Sequence, residues 1–167
     1  MNDNLFKIFQ QFTAQGQPAG IVPFGNGHIN DTYRVQMVDP TAPGYILQRK
    51  NHAIFKDIPG MMQNILHVTD HIRKKLEAAG ETEADRKVMT YLPAKDNNYF
   101  VQEESGNFWT LFLFVRGSHG IEEVTNPTQA FSAGKAFGQF QLQLADLPGN
   151  LLIETIPNFH NGKFRYG

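Results

Sequence analysis

Phe24-Gly25-Asn26-Gly27-His28-Ile29-Asn30-Asp31 joins two β-type runs, Ile21 to Phe24 and Thr32 to Val38, and no helical pattern follows it directly. In the second run Tyr33, Val35 and Met37 alternate with Arg34 and Gln36, the period of a half-buried strand. Glycines between antiparallel strands let backbone N–H groups approach an anion such as phosphate without a Cβ in the way. The spacing is not the G-x-G-x-x-G of dinucleotide folds, which must open a helix. An ordinary hairpin turn also accounts for the residues, because Asn-Gly is the strongest short hairpin signal.

Outward from this turn the chain alternates between the two periods. Leu5, Ile8, Phe9 and Phe12 fall at helical spacing after Asn2 and Asp3, and Gly16 stops the pattern. A turn with Pro40, Pro43 and Gly44 leads into a third strand, Tyr45 to Arg49. Ile58, Met62, Ile65, Thr69, Ile72 and Leu76 then repeat at four and three, with Asp57 and Pro59 at the start and Gly80 at the end, which predicts a long helix. Three β-type runs follow: Val88 to Leu92, Tyr99 to Gln102 and Phe108 to Val115, the last two joined by the hairpin signal Glu104-Ser105-Gly106-Asn107. Phe108 to Val115 is almost continuously apolar, which predicts a central strand covered on both faces. Arg116-Gly117-Ser118-His119-Gly120 reads as a connector, and Asn126-Pro127 opens a helix to about Ala145. The order helix, hairpin, strand, helix, three strands, connector, helix predicts an α+β fold on an antiparallel sheet of about five strands.

Composition narrows the function classes. Of 167 residues, 41% are hydrophobic and 19% charged, the balance of a globular protein. A net charge of −1 leaves no electrostatic footprint for nucleic acid or an anionic membrane as partner. The absence of cysteine excludes disulfides, thiol catalysis and thiolate metal sites. Met1 to Gln11 lacks the apolar run of a signal peptide, and the longest apolar stretch, Leu111 to Val115, is a strand's length, so the expected location is the cytoplasm. A sulfatase would need Cys or Ser in a C/S-x-P-x-R setting, which Ser105, Ser118 and Ser132 do not provide.

Phe24-Gly25-Asn26-Gly27-His28-Ile29-Asn30 with Thr32-Tyr33, then Tyr45-Ile46-Leu47-Gln48, then Ile156-Pro157-Asn158-Phe159-His160, closely resembles in order and spacing the bacterial N-acetylhexosamine 1-kinases. These belong to the aminoglycoside-phosphotransferase, choline-kinase-like superfamily. The resemblance implies a protein-kinase-like small lobe over residues 1–115, flanked by an αC-like helix. Residues 116–167 would be the hinge and the start of a C-terminal lobe. It also implies ATP and Mg²⁺, with transfer of the γ-phosphoryl group to the anomeric hydroxyl of N-acetylglucosamine or N-acetylgalactosamine. In such enzymes positioning and charge neutralisation carry the chemistry.

On that resemblance Gly25, Asn26 and Gly27 cover the phosphates, and Gln48 faces the nucleotide where a Lys or Arg is usual. Strand alternation puts Lys50 on the face of Gln48 and Arg49 on the other; solvated strand-end charges account for both as well. The helix after strand three usually supplies a Glu to the strand-three cation. Asn64 is the residue placed to stand there, which predicts a Gln48–Asn64 contact. Phe114 and Val115, with Leu113 and Arg116, form the adenine-pairing hinge. His28, Asn30 and His160 are the sugar-side residues, although a structural histidine also accounts for His160. His67 and His71, one turn apart, have no third ligand nearby and read as a solvated face. The resemblance places the catalytic base and the Mg²⁺ ligands in an H-x-D-x-x-x-x-N loop and an I-D-x-D segment beyond Gly167. No catalytic or metal-ligating residue is therefore assigned within the chain, and these residues alone are expected to be inactive. Another acceptor (choline, homoserine or an aminoglycoside) and a non-catalytic sugar- or partner-binding module remain open. Phe112, Phe114 and the residues around Phe137 are expected to be exposed and to promote self-association.

Overall fold

Alternating apolar residues pair the first three strands into a meander: β1 (Pro18–Pro23), β2 (Asp31–Met37) and β3 (Tyr45–Lys50), all antiparallel. The structure, a computed structural model, describes residues 2–167. Helix α1 (Asn2–Phe9) precedes the meander, and α2 (Ile58–Ala78) and the short α3 (Ala84–Lys87) follow it. Next come β4 (Tyr91–Leu92), β5 (Val101–Gln102) and β6 (Phe108–Leu113), then α4 (Pro127–Leu144), a 3₁₀ turn at Gly149–Leu151, and α5 (Gly162–Tyr166). The sheet has six strands in the order β1-β2-β3-β6-β4, with β5 also on β6. This is the expected α+β architecture, with one strand for each of the six β-type runs. The added helices α3 and α5 span four and five residues, too short to show a period.

Register divides the sheet into two faces. Ile21, Val35, Tyr45, Leu47, Trp109 and Leu111 form the core under α1, which contributes Leu5, Ile8 and Phe9. Burial of each such side chain stabilises the fold by roughly 1.5–3 kcal/mol. On the opposite face the cross-strand partners Thr32, Gln48 and Thr110 form one row, and Arg34, Ile46, Phe112 and Tyr91 the next. Strand β6 lies between β3 and β4 with Trp109, Thr110 and Leu111 buried, as the continuous apolar run predicts. Phe112 and Phe114, expected to be exposed, are half-buried: Phe112 packs on Tyr91, while Phe114 packs on Phe24 and Arg34.

Helix α2 begins where the Asp57 carboxylate accepts from Gly60 N at 2.8 Å, and it ends at Gly80, whose φ of +76° suits glycine. Its face toward α4 is stitched by polar contacts. Asn64 Nδ2 donates to Ile153 O at 2.7 Å, and Ile153 N donates back to Asn64 Oδ1 at 2.8 Å. Asp146 is held by Lys75 at 2.7 Å and by His71 at 3.0 Å, and these contacts lower its pKa to about 2. A groove of about 950 Å³ lies between the two helices. Phe131, Phe137 and Leu142 of α4 stay exposed. Among the described residues no helix is long and apolar enough to cross a membrane.

Candidate functional site

The Gly-rich turn closes through Phe24 N, which donates to Thr32 O at 2.9 Å. Its two glycines have different reasons to be glycine. Gly25 has φ +79°, a conformation that favours glycine. Gly27 lies outside that region, and a Cβ built there meets nothing within 4 Å. The chain's own fold therefore does not require glycine at 27. The Asn26 side chain reaches Glu122 in the connector. Asn30 Oδ1 accepts from Asn51 N at 2.9 Å and so ties the turn to the exit of β3. His28 is exposed.

Beneath the turn, the row on β2, β3 and β6 carries the site's charge. Gln48 Nε2 donates to Thr32 Oγ1 at 2.9 Å, and Lys50 Nζ donates to Gln48 Oε1 at 2.6 Å. Lys50 is only 6% exposed, and burial lowers its pKa to about 8. No carboxylate among the described residues pairs with it, and the Tyr91 ring centroid lies 6.0 Å from Nζ. Thr110, the β6 partner of Gln48, is fully buried, and its Oγ1 has no hydrogen-bond partner among the described residues. The face therefore holds an uncompensated cation and an unpaired hydroxyl, both costly to bury without a partner.

Three expectations are corrected here. Lys50 is not a solvated strand-end charge, because strand pairing with Phe108 and the approach of Tyr91 cover it. Arg49 does face the other side, half-exposed on Asp31 and Asn107. Gln48 does not contact Asn64: its amide is taken by Thr32 and Lys50, and Asn64 turns to the Ile153 backbone. His67 and His71 are half-buried rather than solvated, with Gln63 and Asp146 as their partners.

At the end of β6 the backbone leaves one edge open. Phe114 N donates to Gly44 O at 2.8 Å and Leu113 N to Thr90 O at 2.9 Å, so successive residues face opposite edges. Leu113 C=O and Val115 N–H, two residues apart on the edge away from β3, have no partner among the described residues. They line a cavity of about 440 Å³ whose walls include Phe24, Ile46, Met89, Phe112 and Phe114. The Phe114 ring is fixed between the Arg34 guanidinium, 3.7 Å from its centroid, and the Phe24 ring, edge-on at 5.7 Å.

Gly25, Asn26, Gly27, Asn30 and Gln48 thus gather at one end of the sheet face, and Phe114 and Val115 stand at the exit of β6. His160 lies before α5, exposed and edge-on to Phe159 at 4.7 Å, and no hydrogen bond among the described residues joins it to the turn. No group of three or more His, Asp or Glu side chains among the described residues is arranged to hold a metal ion. Sequence alternation had put Lys50 on the correct face; its burial and the unpaired Thr110 come from long-range pairing with β6 and left no local signal. No protein-family model matches the chain.

Proposed function

We propose that the chain is the nucleotide-binding part of an ATP-dependent small-molecule kinase of the aminoglycoside-phosphotransferase type, acting on the anomeric hydroxyl of N-acetylglucosamine or N-acetylgalactosamine. The observation that carries this reading is the open edge at Leu113 and Val115. Adenine presents a donor and an acceptor side by side, and a C=O and an N–H two residues apart on one strand edge match that pair. The cavity beside them is walled by Ile46, Phe112 and Phe24, apolar surfaces suited to a flat base. From there the sheet face leads toward Gln48, Thr32 and the Gly-rich turn, where an ATP polyphosphate would meet backbone N–H groups and the Gln48 amide.

In this reading Gly27 is glycine because the ligand, not the fold, needs the space. His28 and Asn30 lie on the acceptor side of the turn, and His160 belongs to the sugar cleft. Mg²⁺ would neutralise charge on the phosphates; in this reading its ligands and the base that orients the sugar hydroxyl belong to H-x-D-x-x-x-x-N and I-D-x-D segments, which these residues do not contain. The test is a MgATP titration of the ¹⁵N-labelled chain. The Val115 amide and the Gly25–Gly27 amides are expected to shift together at millimolar ligand or below. Saturating MgATP that leaves all of them unmoved refutes the reading.

A further inference from the structure

We propose that Lys50 is a positioning residue: it fixes the orientation of the Gln48 amide so that this side chain offers N–H, and never C=O, to a phosphate in the cleft. The inference rests on the nucleotide reading above and identifies how the face recognises an anion with a neutral side chain. An amide's two ends are nearly the same shape, so its neighbours decide which end faces where. Thr32 cannot decide, because a hydroxyl both donates and accepts. Lys50 can, because an ammonium only donates, and its Nζ sits 2.6 Å from Gln48 Oε1. The amide nitrogen is thereby turned to Thr32 Oγ1 at 2.9 Å, which uses one of its two hydrogens and leaves the other free.

Exposure assigns the two roles. Gln48 is half-buried and keeps part of its side chain open to solvent, whereas Lys50 is 6% exposed. Its charge reaches a ligand through the amide, which a cation on the carbonyl side polarises into a stronger donor. The groups facing the ammonium are Gln48, the Phe108 ring opposite it and Tyr91, whose buried phenol is pushed up to about 12 and stays neutral. Arg49 projects to the other face. No carboxylate among the described residues offsets the buried charge, and recognition of an anion supplies a reason to keep it.

The test follows the Gln48 side-chain NH₂ resonances and the binding of MgATP and of inorganic tripolyphosphate to the whole chain, for wild type and Lys50→Met. In wild type the Gln48 resonances are expected to move with a midpoint near 8 as Lys50 loses its proton. Affinity for both ligands should fall across the same interval. Lys50→Met should bind each about tenfold more weakly at pH 7, the size of one charge-assisted hydrogen bond, and its MgATP affinity should not fall between pH 7 and 9. Equal affinity in the variant, or Gln48 resonances that do not titrate, overturns the positioning role. Loss of MgATP binding alone, with tripolyphosphate retained, supports the anion role and overturns the nucleotide reading. Titration of Gln48 with no binding of either ligand overturns the recognition role through that reading, and the resonance distinguishes this from a failure of the positioning itself.

Discussion

Replacing Lys50 by Met should make the protein more stable, by an amount that depends on pH in a defined direction. Burial lowers the ammonium's pKa from 10.5 to about 8, and the residue is 6% exposed, so little solvent screening offsets the cost. At about 1.4 kcal/mol per pKa unit, the charge costs the native state about 3 kcal/mol at pH 7. Met keeps the aliphatic stem but loses the hydrogen bond to Gln48, worth about 1 kcal/mol, so a net gain of about 2 kcal/mol is expected. In a chain of this length that raises Tm by roughly 4–8 °C. The folded pKa lies below the unfolded one, so between about 8 and 10.5 the unfolded state holds the extra proton, and wild-type stability rises with pH. The penalty is complete below this window and absent above it. Urea denaturation of both proteins at pH 7 and pH 10, under reversible conditions, measures the difference. The gain should shrink by most of its value at the higher pH, and groups common to both proteins cancel. A variant less stable than wild type at pH 7, or a difference that does not change with pH, refutes the account of Lys50 as a buried, uncompensated charge.

Three further outcomes separate folding from function. Gly27→Ala should leave the urea midpoint unchanged or slightly raised while weakening MgATP binding, and Gly25→Ala, at φ +79°, should cost about 1 kcal/mol; equal stability losses at both positions would return the turn to a plain hairpin. Thr110→Val removes a buried hydroxyl without a partner and should be neutral or stabilising by about 1 kcal/mol, so a clear loss of stability would show that the hydroxyl is bonded in solution. Asn64→Ala removes both hydrogen bonds to Ile153 and should speed exchange of the Ile153 amide by tenfold or more with little change in the global midpoint; unchanged exchange would mean that this clamp does not order the segment.

What the sequence made legible follows from how far apart the cause and the effect lie along the chain. The β1–β2 hairpin, α2 with its Asp57 start and Gly80 stop, and the β5–β6 hairpin about Gly106 all rest on neighbours a few residues apart, and each was read with its ends nearly in place. The open edge at Leu113 and Val115 rests on backbone groups, whose pairing leaves no pattern in the side chains. The Gln48 environment was misread for a different reason. Helix position points to Asn64 as the partner, yet Lys50, two residues away on the same strand, takes the amide and offers a charge. Only the placement of β6 against β3, sixty residues later in the chain, turns Lys50 from a solvated strand end into a buried cation and strands the Thr110 hydroxyl beside it. The same pairing that forms the sheet's centre thus creates the site's charge. For this reason the substitution expected to stabilise the fold most is also the one expected to weaken anion binding.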